Sequence, residues 1–195
     1  MENIKGGNLA GGNPSRGRVD DDYYATPPQS TKAILDVLVL KGSILEPACG
    51  GGHMSEVLKE RYPNQDIKST DLVDRGYKEA KTGIDFLTHD YGRTFENVIT
   101  NPPFKYMREF AERALEISTD KVAMFGKIQF LEGKGRKDFL IKSPLKYVYV
   151  FSERQNPMRN GSDKDENGKK WSSTMCFAWY IWEVGYEGEP MIRWL

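Results

Sequence analysis

The chain passes from a strand to a helix through Ile44-Leu45-Glu46-Pro47-Ala48-Cys49-Gly50-Gly51-Gly52, a segment with three consecutive glycines. In doubly wound α/β sheets, a turn of this kind brings the backbone close to a ligand at the carboxyl ends of the strands. Glycine permits that approach because it has no Cβ and tolerates positive φ. The spacing is a weak match to the G-x-G-x-x-G fingerprint of dinucleotide sites. Glu46 instead places a carboxylate at the strand tip, which favours a cationic ligand over a pyrophosphate.

Strand and helix patterns alternate on both sides of this turn. We expect Ser30 or Thr31 to cap the first helix and Gly42 to end it. Alternation of this kind is typical of the α/β class, with a mostly parallel sheet and helices on both faces. Apolar spacing predicts strands over residues 43–46, 66–70, 96–100, 121–127, 147–151 and 176–183, and helices over residues 30–40, 54–62, 104–118 and 138–141.

Length and composition limit the classes of protein to which the chain can belong. Its 195 residues, 38% of them hydrophobic, suit one packed domain, which we place at residues 21–195. Residues 1–20 are rich in Gly, Asn and Pro and are interpreted as a flexible tail, and residues 152–173 as a long polar loop. Neither a membrane span nor a signal peptide is visible, and the two cysteines lie in no metal-binding pattern. We therefore expect a cytoplasmic protein without a metal and without a membrane partner.

Carboxylates recur at the ends of successive predicted strands. Asp71 follows the second strand, about twenty residues after the glycines, where an acidic residue commonly holds a ribose diol. Asp85 follows later, next to Phe86, and can accept a hydrogen bond from an adenine amino group while the ring packs nearby. Each acid alone is typical of a surface position. Together with Glu46, they indicate a ligand site at one edge of the sheet.

Asn101-Pro102-Pro103-Phe104 follows the predicted strand at residues 96–100. One explanation is a strand-to-helix turn punctuated by proline. The other is recognition of a planar amino group, whose delocalised lone pair makes it a poor nucleophile. The Asn101 side-chain oxygen and the rigidly presented Pro102 carbonyl can accept its two hydrogens, and Phe104 can stack on its plane. Positioning and preorganised dipoles would then supply most of the rate.

These segments carry a family resemblance. EPACGGG, TDL, DFL and NPPF, in this order, resemble the motifs of class I S-adenosylmethionine-dependent methyltransferases that act on amino nitrogens. Residues 22–28 (DYYATPP) resemble the N-terminal cofactor motif of the adenine-N6 DNA methyltransferases, and the motif order matches the gamma arrangement. The resemblance covers residues 21–195 and extends to short phage and prophage members. It implies a single Rossmann-like domain whose mostly parallel seven-stranded sheet has an antiparallel C-terminal strand.

The resemblance also implies a role for individual residues. The cofactor would be S-adenosyl-L-methionine, with its methionine portion lined by Glu46, Ala48 and Gly50. Tyr24, Thr26 and Pro27 would close the methionine end of the site. Asp71 would hold the ribose, and Asp85 with Phe86 would hold the adenine. The substrate base would be held by Asn101, Pro102 and Phe104. The implied reaction is methyl transfer to the exocyclic N6 of adenine in DNA, in a bacterial nucleoid or a phage-infected cell.

DNA contacts must come from a local patch, because 28 basic residues balance 28 acidic ones. A base in a duplex must also leave the stack to reach a pocket at a strand tip. The first candidate segment, residues 127–146, is rich in basic residues and has few acids; a solvated loop is the alternative. In the second, residues 154–170, acids are interspersed, and Trp171 beyond it suits either base stacking or the core. The predicted DNA contacts are Lys127, Arg136, Lys137 and Trp171.

Two other functions remain open from the sequence. The same chemistry acts on rRNA or tRNA in similar NPPF enzymes, and no separate target-recognition region is visible in residues 21–195. A non-catalytic methyltransferase-like subunit is the second alternative, although the intact segment from Asn101 to Phe104 argues against it. Whether a specificity partner or a homodimer is involved is also open.

Overall fold

The computed structural model describes residues 23–156, 158–159, 161–164, 167–169 and 175–195. Its helices are α1 (Pro28–Val37), α2 (His53–Arg61), α3 (Met107–Ile117) and α4 (Lys134–Lys142), with 3₁₀ turns at Phe104–Tyr106 and Ile128–Leu131. Its strands are β1 (Tyr24–Ala25), β2 (Ile44–Glu46), β3 (Ile67–Ser69), β4 (Phe95–Thr100), β5 (Ser118–Lys127), β6 (Leu145–Val150), β7 (Met158–Arg159), β8 (Phe177–Glu183) and β9 (Met191–Trp194). The predicted tail at residues 1–20 lies outside the described residues.

Seven of these strands form one sheet in the order β3-β2-β4-β5-β8-β6-β9. Neighbours from β3 to β5 pair in parallel, whereas β8 is antiparallel to both β5 and β6. The predicted α/β fold class is confirmed, including the single antiparallel strand. That strand is not the last, however, because β9 follows it and pairs in parallel with β6 at the sheet edge. Most of β9 is exposed, so its sequence lacks the apolar alternation that marks a buried strand.

The core lies on both faces of the sheet, and β8 shows why. Phe177, Trp179 and Ile181 point to the face covered by α1 and α2, while the alternate residues point to the face covered by α3 and α4. A central strand buried on both sides has no polar face, which explains its continuous apolar run. The Trp179 indole N–H donates to the Ser30 carbonyl at 3.0 Å, which attaches α1 to the sheet.

The predicted cap of the first helix is wrong. Helix α1 begins at Pro28, and Ser30 and Thr31 lie fully buried within its first turn. Proline suits a first helical position because its φ is already helical and its missing N–H would have no partner there. The backbone N–H of Ser30 donates instead to the Pro27 carbonyl at 2.9 Å. The helix also ends at Val37, before Gly42.

The polar segment predicted as a loop at residues 152–173 contains a strand. Within it, β7 pairs antiparallel with β1 and forms a separate two-stranded sheet. The Ser30 hydroxyl donates to the Gln155 side-chain oxygen at 2.6 Å, which ties the segment to α1. Gln155 and β7 of this segment therefore lie against α1 and β1, at the start of the domain.

Candidate functional site

A cavity of about 360 Å³ opens at the carboxyl ends of β2, β3 and β4. From β2 the chain continues to β3 on one side, and β4 pairs on the other, so the cavity lies where the strand order reverses. Pro27 and Gly50 lie outside its lining. The predicted site residues that line it are Tyr24, Thr26, Glu46, Ala48, Asp71, Asp85, Phe86, Asn101, Pro102 and Phe104.

The glycine turn is held from two sides. Gly50 has a φ of +54°, and its N–H donates to the Asp71 carboxylate at 2.7 Å. The other Asp71 oxygen accepts from the Val73 N–H at 2.8 Å. On the opposite side, the Gly51 N–H donates to the Tyr23 hydroxyl at 2.8 Å, and a Cβ at Gly50 would overlap the Tyr23 ring. Glycine is therefore required here by both conformation and space.

Glu46 is a buried carboxyl group at the end of β2, with 2% of its surface exposed. Burial, with a smaller contribution from the Asp71 charge, raises its pKa to about 8. The Ser55 hydroxyl donates to it and is 2.6 Å from the Ser69 hydroxyl. At neutral pH the carboxyl group is mostly protonated, and a cation placed beside it would favour the ionised form.

Two buried polar atoms at the cavity have no hydrogen-bond partner within the described chain. They are the Thr26 hydroxyl and Nδ1 of His53, and both residues line the cavity. Burial lowers the pKa of His53, which favours its neutral form. Buried polar groups in proteins are almost always paired, so an unpaired hydroxyl in a residue that lines a cavity indicates a place for a polar ligand atom.

The Asn101 amide has a defined orientation. Its nitrogen donates to the Tyr24 carbonyl of β1 at 2.7 Å. Because a carbonyl can only accept, this bond identifies the nitrogen and directs the amide oxygen to the other side. The Phe104 ring lies 6.3 Å from the Tyr24 ring, centroid to centroid, at an angle of 20°. The Asn101 amide oxygen can therefore accept a hydrogen bond near the Tyr24 and Phe104 rings.

The residues predicted to hold an adenine ring differ in exposure. Asp85 is exposed, and its carboxylate accepts from the Leu87 N–H at 3.0 Å. Phe86 is 2% exposed, and its ring centroid lies 4.9 Å from that of Phe110. Phe86 therefore contributes to the core as well as to the cavity wall.

Several lining residues received no role from the sequence. Tyr23 adjoins Tyr24 in the N-terminal motif, and its ring lies 4.2 Å below the Arg75 guanidinium. Arg75, Leu72 and Tyr106 also line the cavity. They lie in loops or a 3₁₀ turn, where no periodic pattern shows which side chains face inward.

The predicted DNA contacts occupy different environments. Lys127 ends β5, with its ammonium 4.6 Å from the Phe104 ring centroid. The Arg136 guanidinium donates to the carbonyls of Phe130, Gln129 and Glu132, and so stabilises the turn before α4. Lys137 is exposed on α4. Trp171 lies outside the described residues.

The described part of the chain contains neither a cluster of metal ligands nor a membrane-spanning helix. Its His, Cys, Asp and Glu side chains form no group of three or more suited to a metal ion. None of its helices is long and apolar enough to cross a membrane.

Comparison with solved structures identifies proteins that share this fold. A Listeria monocytogenes protein assigned as a class I S-adenosylmethionine-dependent methyltransferase aligns with a TM-score of 0.64 and 14% identity, over 93% of this chain and 68% of its own. An Agrobacterium tumefaciens protein assigned as an O-methyltransferase gives 0.56 and 11%, over 82% and 83%. TrmN from Thermus thermophilus gives 0.54 and 14%, over 80% of this chain and 48% of its own. No family model and no curated protein matches the sequence. At these identities the likeness establishes the fold.

Proposed function

We propose that this chain is an S-adenosylmethionine-dependent methyltransferase that methylates the exocyclic N6 of adenine in DNA. One observation carries the proposal: the Asn101 amide, oriented by the Tyr24 carbonyl, lies in the same cavity as Glu46 and Asp71. An acceptor for an amino group thus adjoins carboxylates suited to a cationic, ribose-containing cofactor. The structural neighbour from Listeria monocytogenes, itself assigned as an S-adenosylmethionine-dependent methyltransferase, supports the choice of cofactor.

The cavity residues fit S-adenosylmethionine. The unpaired Thr26 hydroxyl can donate to the carboxylate of its methionine portion, and the buried Glu46 can accept from its ammonium group. Asp71 already fixes the glycine turn through Gly50 and retains acceptor lone pairs for a ribose hydroxyl. Ala48 leaves space beside the ligand, Tyr24 closes the methionine end, and Asp85 and Phe86 serve the adenine. Pro27 and Gly50 lie outside the cavity lining, and their proposed roles are to shape the N-terminal motif and the glycine turn.

When bound, the cofactor supplies an electrophilic methyl group on a sulfonium. The chain's own residues present the nucleophile. The Asn101 amide oxygen and the Pro102 carbonyl accept the two N6 hydrogens, which directs the nitrogen lone pair out of the adenine plane. Phe104 holds the ring plane by stacking. Because these acceptors are fixed before the base arrives, little reorganisation is needed during the reaction.

DNA must contact the protein on both sides of a flipped base. Lys127 is suited to this, since its ammonium already lies over the Phe104 ring. Lys137 and Trp171 are proposed as further contacts. Arg136 has a less direct role, because its guanidinium is engaged by carbonyls and shapes the loop.

Nucleoside mass spectrometry tests the proposal. DNA and RNA are analysed from cells that lack adenine methylation and express the wild type, Asn101→Ala or Asn64→Ala, an exposed asparagine before β3. We expect N6-methyladenine in DNA with the wild type and Asn64→Ala and none with Asn101→Ala, which should still bind the cofactor. N6-methyladenine in RNA alone would refute DNA as the substrate but would retain the proposed methyl transfer. No mark in either would overturn the activity.

A further inference from the structure

Tyr106 is an aromatic residue at the cavity that the proposed mechanism does not use. It lines the cavity, yet 41% of its surface is exposed, unlike the buried Phe110 one turn later. It ends the 3₁₀ turn that begins at Phe104, and its N–H donates to the Pro103 carbonyl at 2.8 Å. This turn fixes Tyr106 relative to Phe104, about 4 Å further along the axis.

A lysine ammonium lies over each of these two aromatic rings. The Lys105 ammonium lies 4.4 Å from the Tyr106 centroid, as the Lys127 ammonium lies 4.6 Å from that of Phe104. Lys105 is exposed and forms no ion pair with a described residue. A stacking ring beside an exposed cation is an arrangement that binds successive nucleotides of a single strand, since the base stacks and the phosphate pairs with the cation.

We propose that Tyr106 and Lys105 form a second nucleotide subsite, which binds the nucleotide next to the target adenine. The flanking base stacks on Tyr106, and its phosphate contacts Lys105. This inference rests on the proposed function and deepens it. The substrate is then a polynucleotide strand, and a free nucleoside or nucleotide is a poor substrate because it leaves the subsite empty.

Oligonucleotides with a missing base test this subsite. Single strands that contain one adenine are prepared intact, or with an abasic site on its 5′ or its 3′ side. The kcat/KM of each is measured with wild type, Tyr106→Ala and Tyr106→Phe. In wild type, an abasic site on one side should lower kcat/KM by about 5- to 140-fold, mainly through KM. Tyr106→Ala should lose a similar factor on the intact strand and be insensitive to the abasic site, whereas Tyr106→Phe should resemble wild type.

Tyr186→Ala is the matched control. Tyr186 also has a lysine near its ring, with the Lys146 ammonium 5.3 Å from the centroid. It follows β8, however, and so lies at the amino ends of the parallel strands, away from the cavity. It should leave every value unchanged. If the abasic site lowers the kcat/KM of Tyr106→Ala by as much as it lowers that of wild type, the proposed subsite is refuted. Weakened binding of S-adenosylhomocysteine would also refute it, because that result would assign Tyr106 to the cofactor instead.

The proposed function fails separately, if wild type methylates no oligonucleotide. The subsite is then judged by binding alone, from the fluorescence anisotropy of labelled strands. Equal affinity of wild type and Tyr106→Ala, or equal affinity for intact and abasic strands, would overturn it. Weaker binding by Tyr106→Ala, confined to the intact strand, would support it.

Discussion

The buried Glu46 carboxyl group predicts that cofactor binding depends on pH. Burial raises its pKa to about 8. The carboxyl group is therefore about 90% protonated at pH 7, and the proposed pairing with the cofactor's ammonium requires it to ionise. If only the ionised form binds, the affinity rises with pH, by about 50-fold from pH 6 to pH 8, and about 0.9 proton is released per ligand at pH 7.

Isothermal titration calorimetry with S-adenosylhomocysteine measures both quantities. Titrations in buffers with different ionisation enthalpies give the number of protons released. Glu46→Gln should bind more weakly at pH 8, with no proton release and little change between pH 6 and pH 8. The control, Glu60→Gln, changes an exposed glutamate on α2 and should retain the wild-type profile. Wild-type affinity that is constant between pH 6 and pH 8, without proton release, would refute the pairing of Glu46 with the ammonium.

Three further predictions concern the glycine turn and the core. Asp71→Ala removes the acceptor for the N–H groups of Gly50 and Val73, so cofactor binding should weaken by about 1–3 kcal/mol in calorimetry; unchanged affinity would exclude the ribose role. Gly50→Ala should lose cofactor binding because its Cβ displaces the Tyr23 ring. The control, Gly92→Ala, has a similar positive φ of +64° but open space around the new Cβ, so it adds backbone strain and should retain cofactor binding. Trp179→Ala should lower the free energy of unfolding by about 3–5 kcal/mol in urea titrations, since it empties a fully buried site; a loss below 1 kcal/mol would contradict this account of the core.

The sheet could be predicted from sequence because burial leaves a periodic mark. Strands β2, β4, β5 and β8 are buried over most of their length, and the helices between them have one apolar side. Where burial is incomplete, prediction failed. Strand β9 is mostly exposed, and β7 has two residues whose pairing with β1 depends on a contact between distant segments. The cap of α1 was misplaced because Ser30 is buried by Trp179 and Gln155, which local sequence does not show.

The candidate site was predictable where chemistry follows a strand end. Glu46 ends β2, Asp71 comes two residues after β3 and Asn101 directly follows β4, and the topology brings the carboxyl ends of these parallel strands together. Residues such as Arg75 and Tyr106 face the cavity from loops or a 3₁₀ turn, so only the folded backbone reveals them. The raised pKa of Glu46 is likewise a product of burial, which depends on the whole domain.

The position of β7 gives the polar segment a structural connection to the Asn101 amide. The Asn101 amide is oriented by the carbonyl of Tyr24, and Tyr24 belongs to a strand that pairs with β7. Near Gly161 the same segment approaches His53 and the Tyr23 hydroxyl, beside the glycine turn. A shift of this segment would therefore disturb the Asn101 acceptor and the cofactor side together. The cavity itself is lined by residues between Tyr23 and Phe110, so the polar segment acts on it from outside, through β1 and the glycine turn.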